Sequence, residues 1–427
     1  MNVSSPNAQS VFLWKCLFIS WIYLGFIRNV IPSISTPLYF VHDLIILAIF
    51  LKYRPKQLHF RHTISWLILV SSTILVFLKF ESGNMSLAGL AQGVNLYCFG
   101  MLLFVSTDSN DGAIKSLDLS KTIQISMVPN FFLAILQVPL KVPYFQKSEL
   151  SNSQHLSSAD GYIRAYGTFT STTGFTLYLA VVVAYCLSSV DQLTKTKAIL
   201  LQLISLAMLL MSQSRTALAI ALSQYLIYFI LSRRNRSPVA FGMKTFNGNR
   251  SRLRIGKWIV ISATSVIFIF PGTLKAFSTR ISQASQSENS LLRLLSQQLS
   301  WIESIDHSFF GDGLASHTIG VVGYSNISQQ WIERDLDRIL QEAGLFLGLS
   351  IIIFRFYWAL SLLRSFSKLV DNRDNFMVFL IPVLVITLLQ GPLYGQNDTN
   401  IFGWFFLTIY TANYCRTKPL NNLRTLR

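Results

Sequence analysis

A chain of 427 residues that is 51% hydrophobic, 13% charged and +0.44 in mean hydropathy is not an ordinary soluble domain. Its net charge of +17 suggests nucleic acid at first sight. The cations, however, fall in polar stretches between apolar runs, where a basic excess orients a membrane protein, so no nucleic-acid partner is expected.

Apolar stretches at roughly 11–31, 36–51, 64–80, 85–105, 122–140, 173–190, 196–213, 216–231, 258–274, 343–363, 376–393 and 399–415 predict membrane-spanning helices. Runs of about 17–20 apolar residues cross a bilayer as helices, and the alternation of an outer-membrane barrel is missing. The first run carries Lys15 and Arg28 and lacks a small-residue cleavage site, so it reads as a retained helix and not a signal peptide. Cys16, Cys98, Cys186 and Cys415 lie in or beside apolar runs without Cys-x-x-Cys spacing, which argues against a disulfide or zinc framework.

The expected fold is therefore all-α: a polytopic transmembrane helical bundle of about twelve spans, with a large, partly helical extracytoplasmic loop between spans nine and ten. N-terminal helices occupy 1–140 and a first external loop 141–172. Central helices follow over 173–274, with a basic loop at 232–257. The large external loop is 275–342, and C-terminal helices and a tail complete 343–427. Loops grouped with the termini hold 23 Lys and Arg residues against 10 on the other side, which places both termini in the cytoplasm. The 232–257 loop reads as topogenic and solvated. External cations are few, and orientation does not require them, so their positions are informative.

Candidate chemistry follows in chain order. His42-Asp43 is an ionisable pair inside a span and the strongest residue pair for a transporter. Segment 160–176 joins glycines and hydroxyls to Arg164, whose fork suits phosphate oxygens. Arg215 sits in a tight turn between two apolar helices, which implies an anionic partner. The stretch 274–344 adds Arg280, Arg293, Trp301 and the turn signature Gly311-Asp312-Gly313. From Glu333, at about 100° per residue, Asp335, Arg338 and Glu342 fall near about 200°, 140° and 180°, one narrow face. That stripe would hold a general base against an arginine, or be an ordinary ion-pair face. Asp335 and Asp337 diverge on a helix, and His155, His307 and His317 lack metal-ligand spacing, so no metal site is expected.

Taken in order, several motifs resemble the O-antigen ligase / O-antigen polymerase family of bacterial membrane proteins. They are Arg164-x-x-Gly167-Thr-Phe before a span, Ser214-Arg215-Thr216-Ala217 opening another, Arg280…Arg293…Trp301, Gly311-Asp312-Gly313, and Leu340-x-Glu342-x-Gly344-Leu-x-x-Gly348. The resemblance covers about 160–350; the first five and last two spans match only in hydrophobicity. It implies a metal-independent inverting glycosyltransferase of the bacterial inner membrane with no cofactor. Such an enzyme moves a glycan from an undecaprenyl-diphosphate carrier to an acceptor sugar hydroxyl. Its partners would be the lipid-linked oligosaccharide, the acceptor glycan, membrane lipid and a chain-length regulator. Arg164, Arg215, Arg280 and Arg293, with Arg338, would bind the diphosphate. Where many ligases of the family carry a His-Asn pair, Glu333-Arg334 stands here, leaving the base open between Glu333 and Asp335 and favouring a polymerase-like member. The alternative is a flippase of lipid-linked oligosaccharide, for which two similar halves would be expected.

Overall fold

A computed structural model describes residues 8–53, 60–81, 87–106, 114, 117–146, 164–190, 192–234, 278, 282, 309–318, 332, 334–371 and 374–414. Arg280, Arg293, Trp301, Glu333, His155, His307, the expected span at 258–274 and the basic loop beyond Arg234 lie outside these residues. The described elements are helical, with no strand among them. They are α1 (Ala8–Val30), α2 (Ser35–Tyr39), α3 (Val41–Lys52), α4 (Phe60–Glu81), α5 (Leu87–Val94), α6 (Gly100–Val105), α7 (Ser120–Gln137), α8 (Thr172–Ser188), α9 (Lys195–Ser212), α10 (Arg215–Arg234), α11 (Asp335–Asp371), α12 (Asn375–Leu389) and α13 (Asn397–Tyr414).

Local chemistry sets several of these boundaries. Ser171 opens α8 by accepting the Gly174 amide at 3.1 Å, and Asp374 opens α12 by accepting the Met377 amide at 3.1 Å. Ser214 accepts the Ala217 amide at the start of α10, and α9 ends at Gln213 in the left-handed conformation, φ 49°. Before α7, hydrogen bonds from Ser120 hold the Asp118 carboxyl below the usual carboxylate range.

Among the described residues, three helices are long and apolar enough to cross a membrane, over Val11–Val30, Thr63–Glu81 and Asp335–Asp371, and shorter apolar helices accompany them. Their outward faces agree with that reading. Ile64, Leu67, Val70, Ile74 and Phe77 form one exposed apolar stripe, and Ile353, Phe356, Tyr357, Leu360 and Leu363 form another. Apolar stripes of this length belong against lipid, where a helix satisfies its own backbone polar groups.

Three of the expected spans differ in detail. The stretch 36–51 is not one helix: α2 stops at Phe40, φ −93° and ψ 3°, and α3 begins anew. The stretch 85–105 is interrupted by a π-helical segment, Asn95–Phe99, between α5 and α6. The helix expected from 343 starts earlier, at Asp335, and is broken at Gly344, φ 73° and ψ 179°.

Helix ends sort to two sides. At one end, the Thr168 hydroxyl donates to the Ile22 carbonyl in the second half of α1, and Gln137 at the close of α7 holds Gly167. There too Ala165 meets Met211 near the end of α9, and Lys79 at the end of α4 donates to the Gly311 carbonyl at 2.7 Å. At the opposite end Lys52 donates to Gln9, and Tyr414 donates to Asp374. The first of these ends is the polar end, where the candidate residues gather.

Candidate functional site

Two loops at the polar end are strapped to the helices, the first of them by buried amide side chains. Gln137 accepts the Tyr166 and Gly167 amides at 3.0 Å each and donates to the Gly167 carbonyl at 3.1 Å. Asn130, also on α7, accepts the Thr168 amide at 3.0 Å. A loop without its own secondary structure needs such partners for its backbone. Gly167 has φ 55°, and a Cβ there would lie 2.3 Å from Asn130 Oδ1, so the glycine in the Arg164-x-x-Gly167-Thr-Phe motif is a steric requirement. Burial pushes the neighbouring Tyr166 phenol up to about 12, and its hydroxyl donates to the Phe145 carbonyl.

The Ala165 amide donates to the Met211 carbonyl at 3.1 Å, and Thr176 pairs with Ser214 at 3.2 Å. Arg164, half-buried, and Arg215, exposed, are thus carried on adjoining segments. The sequence placed both on one side, and the structure puts their loops in contact.

The second strapped loop is Phe309–Thr318, which docks on the break in α11. Gly311 and Gly344 both have positive φ and pack backbone to backbone. A Cβ on Gly344 would sit 2.3 Å from the Phe309 carbonyl oxygen, and one on Gly311 would sit 2.4 Å from the Gly344 amide. The Asp312 and Gly313 amides donate to the Gln341 and Glu342 carbonyls at 2.7 and 3.1 Å, which are left open where the helix stops. The turn signature and the Glu342-x-Gly344 motif are therefore two halves of one joint.

Glu342 organises this joint from inside. Its carboxylate accepts the Ala315 amide at 2.9 Å, the His317 amide at 2.9 Å and the Tyr97 hydroxyl at 2.6 Å, and it lies 3.7 Å from Arg338 Nε. Arg338 also pairs with Asp335, whose other oxygen is taken by Arg355. Arg355, 0% exposed, donates in addition to the Leu388, Thr387 and Gly391 carbonyls at 2.6, 3.2 and 2.9 Å. A buried guanidinium is tolerable when its donors are matched in this way, and here it also caps the C-terminus of α12.

The expected face of Asp335, Arg338 and Glu342 is thus assembled. All three are buried, and both Asp335 oxygens are engaged by guanidinium groups. Arg338 packs against Gly395 so closely that a Cβ there would overlap it. Asp337 pairs instead with Arg334 at 3.5 Å, so the two aspartates serve separate arginines.

The structure adds a pair that sequence spacing did not single out. His317 Nε2 lies 2.9 Å from Asp312 Oδ2; the Asp312 side chain is 55% exposed and that of His317 10%. The loop backbone at both residues is fixed, through Gln341 O at Asp312 and through Glu342 at His317. Their five-residue separation in a loop has no periodic signature, so only the fold reveals them.

His42 and Asp43 are buried in the first turn of α3. Asp43 accepts from the Asn95 amide at 2.6 Å, which is a tie between helices at the polar end and not a feature of the bundle's middle. No protein-family model matches the chain, and no curated protein sequence does either.

Proposed function

We propose that the chain is a membrane glycosyltransferase of the O-antigen polymerase or ligase type. It takes a glycan from an undecaprenyl-diphosphate carrier and joins it to an acceptor sugar hydroxyl at the outer face of the bacterial cytoplasmic membrane. The proposal keeps twelve spans with both termini in the cytoplasm, which makes the polar end external.

The observation that carries this reading is the shared location of three features: the contacting Arg164 and Arg215 loops, the Gly311–Gly344 joint, and the exposed Asp312 held by His317. Displacement at an anomeric carbon needs cations at the departing diphosphate and a base at the attacking hydroxyl. Arg164 and Arg215 suit the first task, with Arg280 and Arg293. Arg338 is already committed to Asp335 and Glu342, so its part is to fix the joint. The same reasoning moves the base away from Asp335, whose oxygens are both in ion pairs, to Asp312, the reachable member of its pair. Glu333 remains the competing base.

Polymer formation by the purified chain in nanodiscs, with lipid-diphosphate-linked repeat units and EDTA, tests the proposal. Wild type should make polymer, and Arg215→Ala should lower turnover by about 10²-fold, typical of removing one transition-state charge contact. No polymer from wild type, with intact lipid-linked glycan crossing a liposome membrane, would establish a flippase instead.

A further inference from the structure

Two phenylalanines sit side by side in the turn that docks on the break in α11. Phe309 is 57% exposed and Phe310 65%, and Phe346, in the first turn after the break, is 65% exposed. The Phe309 and Phe346 rings stack with centroids 6.1 Å apart, and Phe310 meets Phe309 edge-on at 5.1 Å. The three rings thus form one patch and still present most of their surface outward. The turn that carries two of them is held in place. Its Asp312 and Gly313 amides are bonded to α11, Lys79 of α4 donates to the Gly311 carbonyl at 2.7 Å, and the backbones at Gly311 and Gly344 touch.

The patch continues the exposed apolar stripes of α4 and α11, two helices that pack against each other. Phe346 stands about two turns before Ile353 on nearly the same helix face, so it heads the α11 stripe. Phe77 and Leu78 close the α4 stripe beside Lys79, which reaches the patch through Gly311. Length fixes the depth. From Phe346 to Leu363 the helix rises about 26 Å, at about 1.5 Å per residue, and the exposed Arg364 follows at once. A hydrocarbon core is about 30 Å thick. With Arg364 at one boundary, Phe346 lies just inside the other, and Lys79 marks that boundary from α4. A phenylalanine ring has no polar atom to keep it among headgroups, so rings at this level enter the edge of the chain region.

We propose that Phe309, Phe310 and Phe346 form a wedge inserted between lipid chains just below the headgroups. Asp312 follows Phe310 by two positions, so the wedge places its exposed carboxylate at the headgroup layer. That a lipid-borne diphosphate meets it there rests on the glycosyltransferase reading; insertion of the rings does not.

The test is the collision rate of a nitroxide with oxygen, which concentrates in lipid, and with a water-soluble nickel chelate. The label is attached to Phe310→Cys in the full chain with its native cysteines replaced, in vesicles of phosphatidylcholine and phosphatidylglycerol. Labels at Ile353→Cys, within the α11 stripe, and at Gln192→Cys, in a loop at the opposite end, give the lipid and water limits. Thermal melts select the folded variants, and Phe309→Cys decides if Phe310→Cys does not fold. The ratio of oxygen to nickel collisions should lie severalfold above that at Gln192 and below that at Ile353. A ratio equal to that at Gln192 would put the rings in water and overturn the inference. Slow collision with both reagents would mean that protein, such as a second copy of this chain, covers them, and would overturn it equally. A lipid-like ratio in a chain that makes no polymer would sink the transferase reading alone. Polymer from a chain whose label sits in water would sink the wedge alone.

Discussion

Asp335 shows how a residue's chemistry depends on what surrounds it. On a helical wheel it faces Arg338 and Glu342, and a carboxylate beside an arginine reads as a tuned base. In the fold it is the counter-ion of two buried guanidinium groups. Asp335→Ala should therefore destabilise the protein by about 3–5 kcal/mol, because it strands buried charge. A melting curve in detergent that matches wild type would refute this role. Tyr97→Phe removes one hydrogen bond to the Glu342 carboxylate and should cost about 1.5–3 kcal/mol. Asp312→Asn is expected to behave differently: turnover falls by about 10²–10⁴-fold while the melting temperature stays near that of wild type. Lost stability with unchanged turnover per folded molecule would make Asp312 a loop anchor and leave Glu333 as the base.

Two helical irregularities do the positioning at the scale of elements. The break at Gly344 opens the carbonyls of Gln341 and Glu342 to the 309–318 loop, and the glycine at 311 permits the approach. Gly344→Ala must accept φ 73° with ψ 179°, a combination essentially reserved for glycine, at about 1–3 kcal/mol, and also a Cβ against the Phe309 carbonyl. Limited proteolysis should then cut near Phe310 faster than in wild type; an unchanged digestion pattern would show that the loop is held by other contacts. The π-helical segment is the second irregularity, of a kind often found at functional sites. It presents Asn95 to Asp43 and Tyr97 to Glu342, so one short segment serves both polar groups. Asn400 donates to the Leu96 and Leu393 carbonyls at 2.7 and 2.8 Å, pinning that segment to the turn that carries Tyr394 and Gly395. Stacking of Tyr97 on Tyr394, with centroids 4.7 Å apart, strengthens the same join.

At the scale of the whole molecule, the polar end is set apart from the end that carries Lys52, Asp118 and Asp374. In a chain whose native cysteines are replaced, Arg215→Cys should react with a membrane-impermeant maleimide added outside intact cells. Gln192→Cys, at the opposite end, should react only after the membrane is opened. The reverse pattern would invert the topology and remove the proposed enzyme from the outer face.

Composition and run length alone determined that this is a helical membrane protein, because apolar stretches of that length satisfy their backbone only as helices in lipid. Periodicity placed Asp335, Arg338 and Glu342 on one face, because helical geometry is local. Motif order also marked the glycines at 167, 311 and 344, each of which proved to sit at positive φ. What sequence could not give was partnership. Arg355 reads as a stray charge in a span until Asp335 and the end of α12 close around it. Asp312 and His317 meet only through a loop folded onto a broken helix, and the Asp398 carboxylate accepts the Thr170 hydroxyl across 228 positions of chain. Such contacts join residues remote in sequence, and the packing that creates them leaves no period to read. The sequence therefore decided the environment in which the chain folds, and the tertiary structure decided which charged groups meet.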